Sequence, residues 1–244
     1  MNNEIVNPSE AILMDALQKK DIQISPAIFE KLCAFIRLLL EANETVNLTS
    51  ITEYEAALVK HIYDALIITR IAEFQKAEKI LDVGSGAGIP GIPLAIANPQ
   101  LTFYLLEATQ KKVNFQQQAC ETLQINNCHS IWGRAEDLGA KPEYREHFNL
   151  VLARAVAEIN QLAELTLPFV KINGACILYK GKDFHSELKA GQNAITVLGG
   201  FITSTKEDEL PGNYGDRALI IIQKQHQTPS KYPRKANLIQ KKPL

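Results

Sequence analysis

Residues 82–91 read D-V-G-S-G-A-G-I-P-G, and no other stretch restricts the fold of this chain as strongly. Gly84, Gly86 and Gly88 permit backbone conformations and close approaches that a Cβ would block. Pro90 and Pro93 suit the first turn of a helix, where an N–H has no intrahelical partner. Upstream, K-I-L-D-V at 79–83 is a short apolar strand, and residues 89–97 begin a helix. Strand, glycine turn and helix in that order aim backbone N–H groups and a helix N-terminus at a ligand.

The flanking pattern fits a sheet layered with helices. Ahead of the loop, Ser9 can cap a helix through Lys20. A second helix follows Ser25 and Pro26 and runs to about Ala42, and a third spans about 53–72. After it, strands are expected at 101–106, 128–132, 148–153 and 175–179, separated by helices at 110–123 and 158–171. A helix at 184–198 precedes strands at 201–205 and 217–224, which have no helix between them and predict an antiparallel hairpin at the sheet edge. The expectation is a seven-stranded, mostly parallel α/β sheet with a terminal antiparallel hairpin. Three regions follow: a helical extension (1–75) packed on the core, the sheet domain (76–224) and a tail (225–244).

With 46% hydrophobic and 22% charged residues, the 244-residue chain has the balance of an ordinary globular protein. No apolar run reaches the ~18 residues of a membrane span, and residues 1–10 lack the basic and apolar regions of a secretory signal. Cys33, Cys120, Cys128 and Cys176 form no C-x-x-C pair and read as small buried hydrophobes of a reducing, cytoplasmic protein. No metal site is expected. Charge is uneven: residues 224–244 hold six basic and no acidic side chains, leaving 20 of the 26 basic residues against all 27 acidic ones before them. A cationic tail on an acidic body points to a polyanionic partner, although a solvated terminus has the same composition.

The glycine loop alone admits two ligands. Residues 86–91 satisfy G-x-G-x-x-G, and Glu107 lies where a dinucleotide site places its ribose-binding carboxylate. Three features favour S-adenosylmethionine. Asp82 completes D-x-G-x-G-x-G, and a carboxylate there suits a cationic ligand and repels a pyrophosphate. G-R-A-E-D at 133–137 follows the third strand, where class I methyltransferases contact adenine. The terminal hairpin also suits a methyltransferase sheet better than an all-parallel one. A nicotinamide-dependent oxidoreductase remains the rival reading, and a non-catalytic assembly factor a third.

The chain further resembles the bacterial small-subunit rRNA guanine-N7 methyltransferases, the glucose-inhibited division protein B family. The fragments occur in order: N-L-T-S (47–50), H-I-Y-D-A-L (61–66), D-V-G-S-G-A-G-I-P-G-I-P-L (82–94), L-L-E-A-T-Q-K-K (105–112), G-R-A-E (133–136), A-R-A-V-A (153–157), K-G (180–181) and Y-P-R-K (232–235). The resemblance implies a Rossmann-like class I methyltransferase fold, S-adenosylmethionine as donor, and methylation at N7 of a guanine in the decoding-region loop of 16S rRNA. It places cofactor contacts on Gly84, Ile89, Ala135, Glu136 and Arg154, with Asp82, Gly86, Gly88 and Glu107 lining the pocket. Ile89, Ala65 and the Ala236-Asn237 pair depart from the usual family residues. No general base is expected, because guanine N7 has a lone pair and no proton to lose. His61, Arg154, Lys180, Arg234 and Lys235 are the acceptor-binding candidates, with Lys111, Lys112 and Lys182 as further cations and Tyr232 as a stacking or docking residue. The expected partner is 16S rRNA within the 30S subunit or an assembly intermediate, with the protein acting as a monomer away from membranes.

Overall fold

The computed structural model describes residues 7–154 and 157–244. Residues 1–6, part of the stretch read for a leader, and Ala155 and Val156 of the A-R-A-V-A fragment lie outside the described residues. Two helices open the described chain, α1 (Pro8–Lys19) and α2 (Pro26–Val46). A helical run over 54–70 then changes pitch from α3 (Tyr54–Ala57) to a π-helical turn (Leu58–Tyr63), α4 (Asp64–Leu66) and a 3-10 turn (Ile67–Arg70). After α5 (Ala72–Gln75) come β1 (Lys79–Val83), α6 (Gly91–Ala97), β2 (Thr102–Glu107), α7 (Gln110–Thr122) and β3 (Cys128–Trp132). The chain continues through α8 (Ala135–Leu138), β4 (Phe148–Arg154), α9 (Ile159–Thr166), β5 (Val170–Lys180) and α10 (Phe184–Val197). It closes with β6 (Gly200–Glu209), β7 (Asp216–Lys224) and α11 (Ala236–Lys241).

The seven strands form one sheet in the order β3-β2-β1-β4-β5-β7-β6. β1 to β5 pair in parallel, and β7 lies antiparallel between β5 and β6. The sheet therefore has the expected architecture, including the terminal hairpin. Side chains alternate across it. Ile80, Phe103, Leu105, Leu152 and Ile177 face a cluster shared with α1, α2 and the 54–70 run. Leu81, Val83, Val151, Leu178 and Ile220 face a second cluster shared with α9 and α10. Both faces are thus buried, as a parallel sheet requires.

Several boundaries differ from expectation for identifiable reasons. Asn7, not Ser9, caps α1: its side-chain oxygen accepts from the Ser9 N–H at 3.0 Å, and Pro8 takes the first helical position. Ser9 lies inside the helix, its hydroxyl donating to Glu55. α2 continues to Val46 before Asn47 turns left-handed at φ 54°. α9 stops at Thr166 because Pro168 carries no N–H, and the chain passes through a 3-10 turn (Leu167–Phe169) into β5. Three cysteines are buried as expected, whereas Cys120 is half-buried.

The tail folds back on the sheet domain. Arg145 donates to the carbonyls of Thr228, Pro229 and Tyr232. Tyr232 is buried in the second core cluster, which makes it a docking residue. Lys224 is fully buried, donating to Leu167 O and Thr228 Oγ1 at 2.6 Å each and lying 3.5 Å from Glu146. Burial pulls its ammonium down to about 8.

Candidate functional site

The strands β1, β2, β3 and β4 end on one edge of the sheet, where β1 sits between β2 and β4. In open α/β sheets this reversal of strand order leaves a crevice beyond the strand ends. Here it is a cavity of about 540 Å³, lined by the glycine loop, the ends of β2 and β4, the start of α8, the loop before α3 and one face of α11. That volume suits a ligand of nucleoside size or larger.

The glycine loop is held from beneath and from the side. Gly84 and Ser85 donate through their N–H groups to Leu106 O at 2.9 and 3.1 Å. The amide of Gln116 on α7, fully buried, donates to Ser85 Oγ and Gly86 O at 2.8 Å each. Glu107 accepts from Gly86 N–H at 3.0 Å on one oxygen and from Thr109 N–H at 2.8 Å on the other. Its carboxylate is fixed while each oxygen keeps a lone pair, and the residue lines the cavity. Gly84 and Gly86 have φ of 68° and 58°. A Cβ on Gly86 would meet no protein atom within 4 Å, so this position looks onto open space.

Gly84, Gly86, Ile89, Glu107, Ala135, Glu136 and Arg154 all line this cavity, as does His61. Asp82 and Gly88 do not, which corrects the expectation that they face the ligand. Asp82 is 1% exposed and lies behind the loop, where it accepts from Gly91 N–H at 3.0 Å at the start of α6. A carboxylate at a helix N-terminus is favoured by the partial positive charge there. Its other oxygen is buried with no hydrogen-bond partner among the described residues. Burial pushes this carboxyl up to about 7 against the opposing pull of the Gly91 N–H. Gly88 is needed inside the loop, since a side chain at its φ of 86° would run into Ile92.

At the other end, Arg154 is the hub. Its carboxylate partner is Asp64. Its guanidinium donates to Asp64 Oδ2 at 3.0 Å, Lys60 O at 2.6 Å and His61 Nδ1 at 3.2 Å. The π-helical turn and α4 bring those three groups together. Asp64, fully buried, also accepts from Arg217 Nε at 2.6 Å. A guanidinium has no acceptor, so His61 Nδ1 accepts and the ring proton sits on Nε2. Nε2 lies 3.2 Å from Thr49 Oγ1. Burial and the Arg154 charge pull His61 down to about 3, so its ring is neutral at physiological pH.

Three acceptor candidates stand elsewhere. Lys180 is tied to Glu187 at 2.5 Å and to the carbonyl of Ala157, and although Ala157 lines the cavity Lys180 does not. Arg234 is held by fully buried Glu164, which accepts its Nε, one terminal nitrogen and its backbone N–H. Both engage internal carboxylates rather than standing free for RNA. Lys235 is exposed beside α11, and Lys112 lines the cavity. Sequence reasoning missed Gln116, Asp64 and Arg217, and gave Thr49 no role. It also missed α11, whose Ala236, Ile239 and Gln240 line the cavity. The charge of the tail pointed to RNA and hid its apolar residues.

Solved structures with this architecture include the O-methyltransferase from Bacillus cereus in complex with SAH (TM-score 0.56, 16% identity, 88% of this chain and 100% of that one). Another is the Methanococcus jannaschii fibrillarin pre-rRNA processing protein (TM-score 0.51, 19% identity, 67% and 74%). The strand order and the crevice at the glycine loop are those of the class I methyltransferase fold. Residues 28–213 match the GidB family, rRNA small subunit methyltransferase G. Proteins named ribosomal RNA small subunit methyltransferase G are 44% identical in Moorella thermoacetica (91% of this chain, 93% of that one). In Thermoanaerobacter pseudethanolicus the identity is 41% (98% and 99%). The chain belongs to this family.

Two outcomes follow from the geometry. Gly86→Asp projects a carboxylate into the cavity at a φ that Asp tolerates. S-adenosylhomocysteine affinity should fall at least about tenfold by calorimetry, with a stability loss of only about 1 kcal/mol. Unchanged affinity would place the ligand elsewhere. Asp82, raised from about 4 to about 7, keeps a proton in the native state that the unfolded chain has released. Its contribution to stability is complete below about pH 4 and is lost as pH rises to about 7. Denaturation from pH 4 to 8 should therefore show Asp82→Asn gaining on the wild type up to about pH 7 and level above it. Parallel pH profiles would contradict this.

Proposed function

We propose that this chain transfers the methyl group of S-adenosylmethionine to N7 of a guanine in the decoding-region loop of 16S rRNA. The observation carrying this reading is a cavity with two chemically different ends. One end has a glycine loop open to a ligand, a fixed carboxylate at Glu107 and the apolar Ile89 and Ala135. These residues fit the donor: Glu107 would accept from ribose hydroxyls, Ala135 and Glu136 would frame adenine, and the Gly84 region would admit the amino-acid portion. Bound there, S-adenosylmethionine supplies a methyl group on a positively charged sulfur.

The other end has a neutral histidine with both ring nitrogens engaged, beside Arg154 and Thr49. His61 is thus unsuited to take a proton, and an N7 acceptor requires no base. The residues contribute by holding the acceptor edge still and excluding water. Exposed Lys231, Lys235, Lys241 and Lys242 on the tail, with Lys112 at the cavity, supply cations for a phosphate backbone. The acidic remainder of the chain favours an acceptor presented within the 30S subunit or an assembly intermediate, met by a monomer in the cytoplasm. No helix among the described residues is long and apolar enough to cross a membrane. Family membership sets aside the nicotinamide and non-catalytic readings.

The test uses 30S subunits from a strain lacking this gene, incubated with the purified chain and tritiated donor, then digested to nucleosides. Label should appear as N7-methylguanosine, and aniline cleavage of undigested, borohydride-treated rRNA should place it at one site in the decoding region. Label in another nucleoside, or none, would overturn the reading. Comparable labelling of naked 16S rRNA would overturn its particle component.

A further inference from the structure

Thr49 sits in the cavity wall, against the buried network that ends at His61. Its backbone is pinned by Asn43, whose Oδ1 accepts from Leu48 N–H at 2.6 Å and Thr49 N–H at 2.8 Å. Its hydroxyl oxygen accepts from Ile51 N–H at 3.1 Å. The same oxygen lies 3.2 Å from His61 Nε2, which carries the ring proton because Arg154 donates to Nδ1. Two N–H donors therefore occupy both lone pairs of Oγ1, and the hydroxyl remains able only to donate. Its proton meets no acceptor among the described residues, so one must come from whatever fills the cavity.

We propose that the Thr49 hydroxyl donates to O6 of the target guanine and thereby selects guanine over adenine. This rests on the guanine-N7 reading above. O6 is the neighbour of N7 on the major-groove edge of guanine, whereas adenine presents an N6 amino donor at that place. A free hydroxyl could rotate and accept from that amine. This one cannot, because His61 and Ile51 hold its lone pairs, and donor would face donor. His61 is then a positioning residue that fixes the polarity of Thr49. Arg154, anchored on Asp64, fixes the tautomer of His61 in turn. The buried chain from Arg217 to Thr49 converts a structural ion cluster into a one-way hydrogen-bond donor.

The test is a double substitution across the contact. Thr49→Val keeps the branched shape and removes the hydroxyl, and Thr49→Ser restores it. The acceptor is a 30S subunit reconstituted with 16S rRNA carrying at the target either guanine or 2-aminopurine, which retains N7 but lacks O6. Thr49→Val should lower kcat/KM on guanine by about 10- to 100-fold, with S-adenosylhomocysteine affinity preserved and a lower Tm in a chain that stays folded, because His61 and Ile51 lose their acceptor. Thr49→Ser should restore most of it. Loss of O6 should cost the wild type a similar factor and cost Thr49→Val nothing further. Costs that multiply independently would overturn the assignment, as would full activity in Thr49→Val or its failure to bind S-adenosylhomocysteine. A wild-type enzyme that labels no guanine would instead overturn the function on which the proposal rests.

Discussion

The buried carboxylate of Asp64 is the fixed point from which this site is organised. It is fully buried and receives Arg154 and Arg217, one from the end of β4 and one from β7. An unpaired charge there would be strongly destabilising, so the two arginines and the helical run that carries Asp64 must come together. The π-helical turn immediately before it presents Lys60 O and the His61 ring to the same guanidinium. Such turns recur where a helix has been adjusted for function. The N-terminal helices are thereby locked to the open edge of the sheet and close the cavity on that side.

The opposite wall depends on a second set of buried polar groups. Asp82 ties the start of α6 to β1, Glu107 ties the glycine loop to the end of β2, and Gln116 reaches across from α7 to both Ser85 and Gly86. Only Glu107 among these three lines the cavity. The others hold the loop in the left-handed conformations its glycines permit. The resulting site has one rigid wall for a nucleoside donor and another built around a neutral histidine, with α11 of the tail as a third side.

Much of the fold was legible because the chain alternates between period-two and helical patterns with clear punctuation at the glycine loop. The two-faced burial of the sheet and its terminal hairpin followed from that alternation. Legibility failed where a residue's role depends on distant partners. Asp82 belongs to a recognisable motif, yet its place behind the loop follows from the path of α6. Arg234 and Lys180 read as free cations until Glu164 and Glu187 were found beside them. Thr49 is unremarkable in sequence, because its polarity is set by His61, Arg154 and Asp64, none of them adjacent to it in the chain. In the tail, the docking alternative for Tyr232 holds, whereas Ile239, also buried, was hidden behind the charge around it.

The central claim is that one cavity holds donor and acceptor at separate ends, and amide hydrogen exchange with and without S-adenosylhomocysteine tests it most directly. Exchange should slow over 84–89, 107–109 and 133–136, while 48–51 should change only when 30S subunits are added. Protection confined to 48–51, or none in the glycine loop, would contradict the two-ended site.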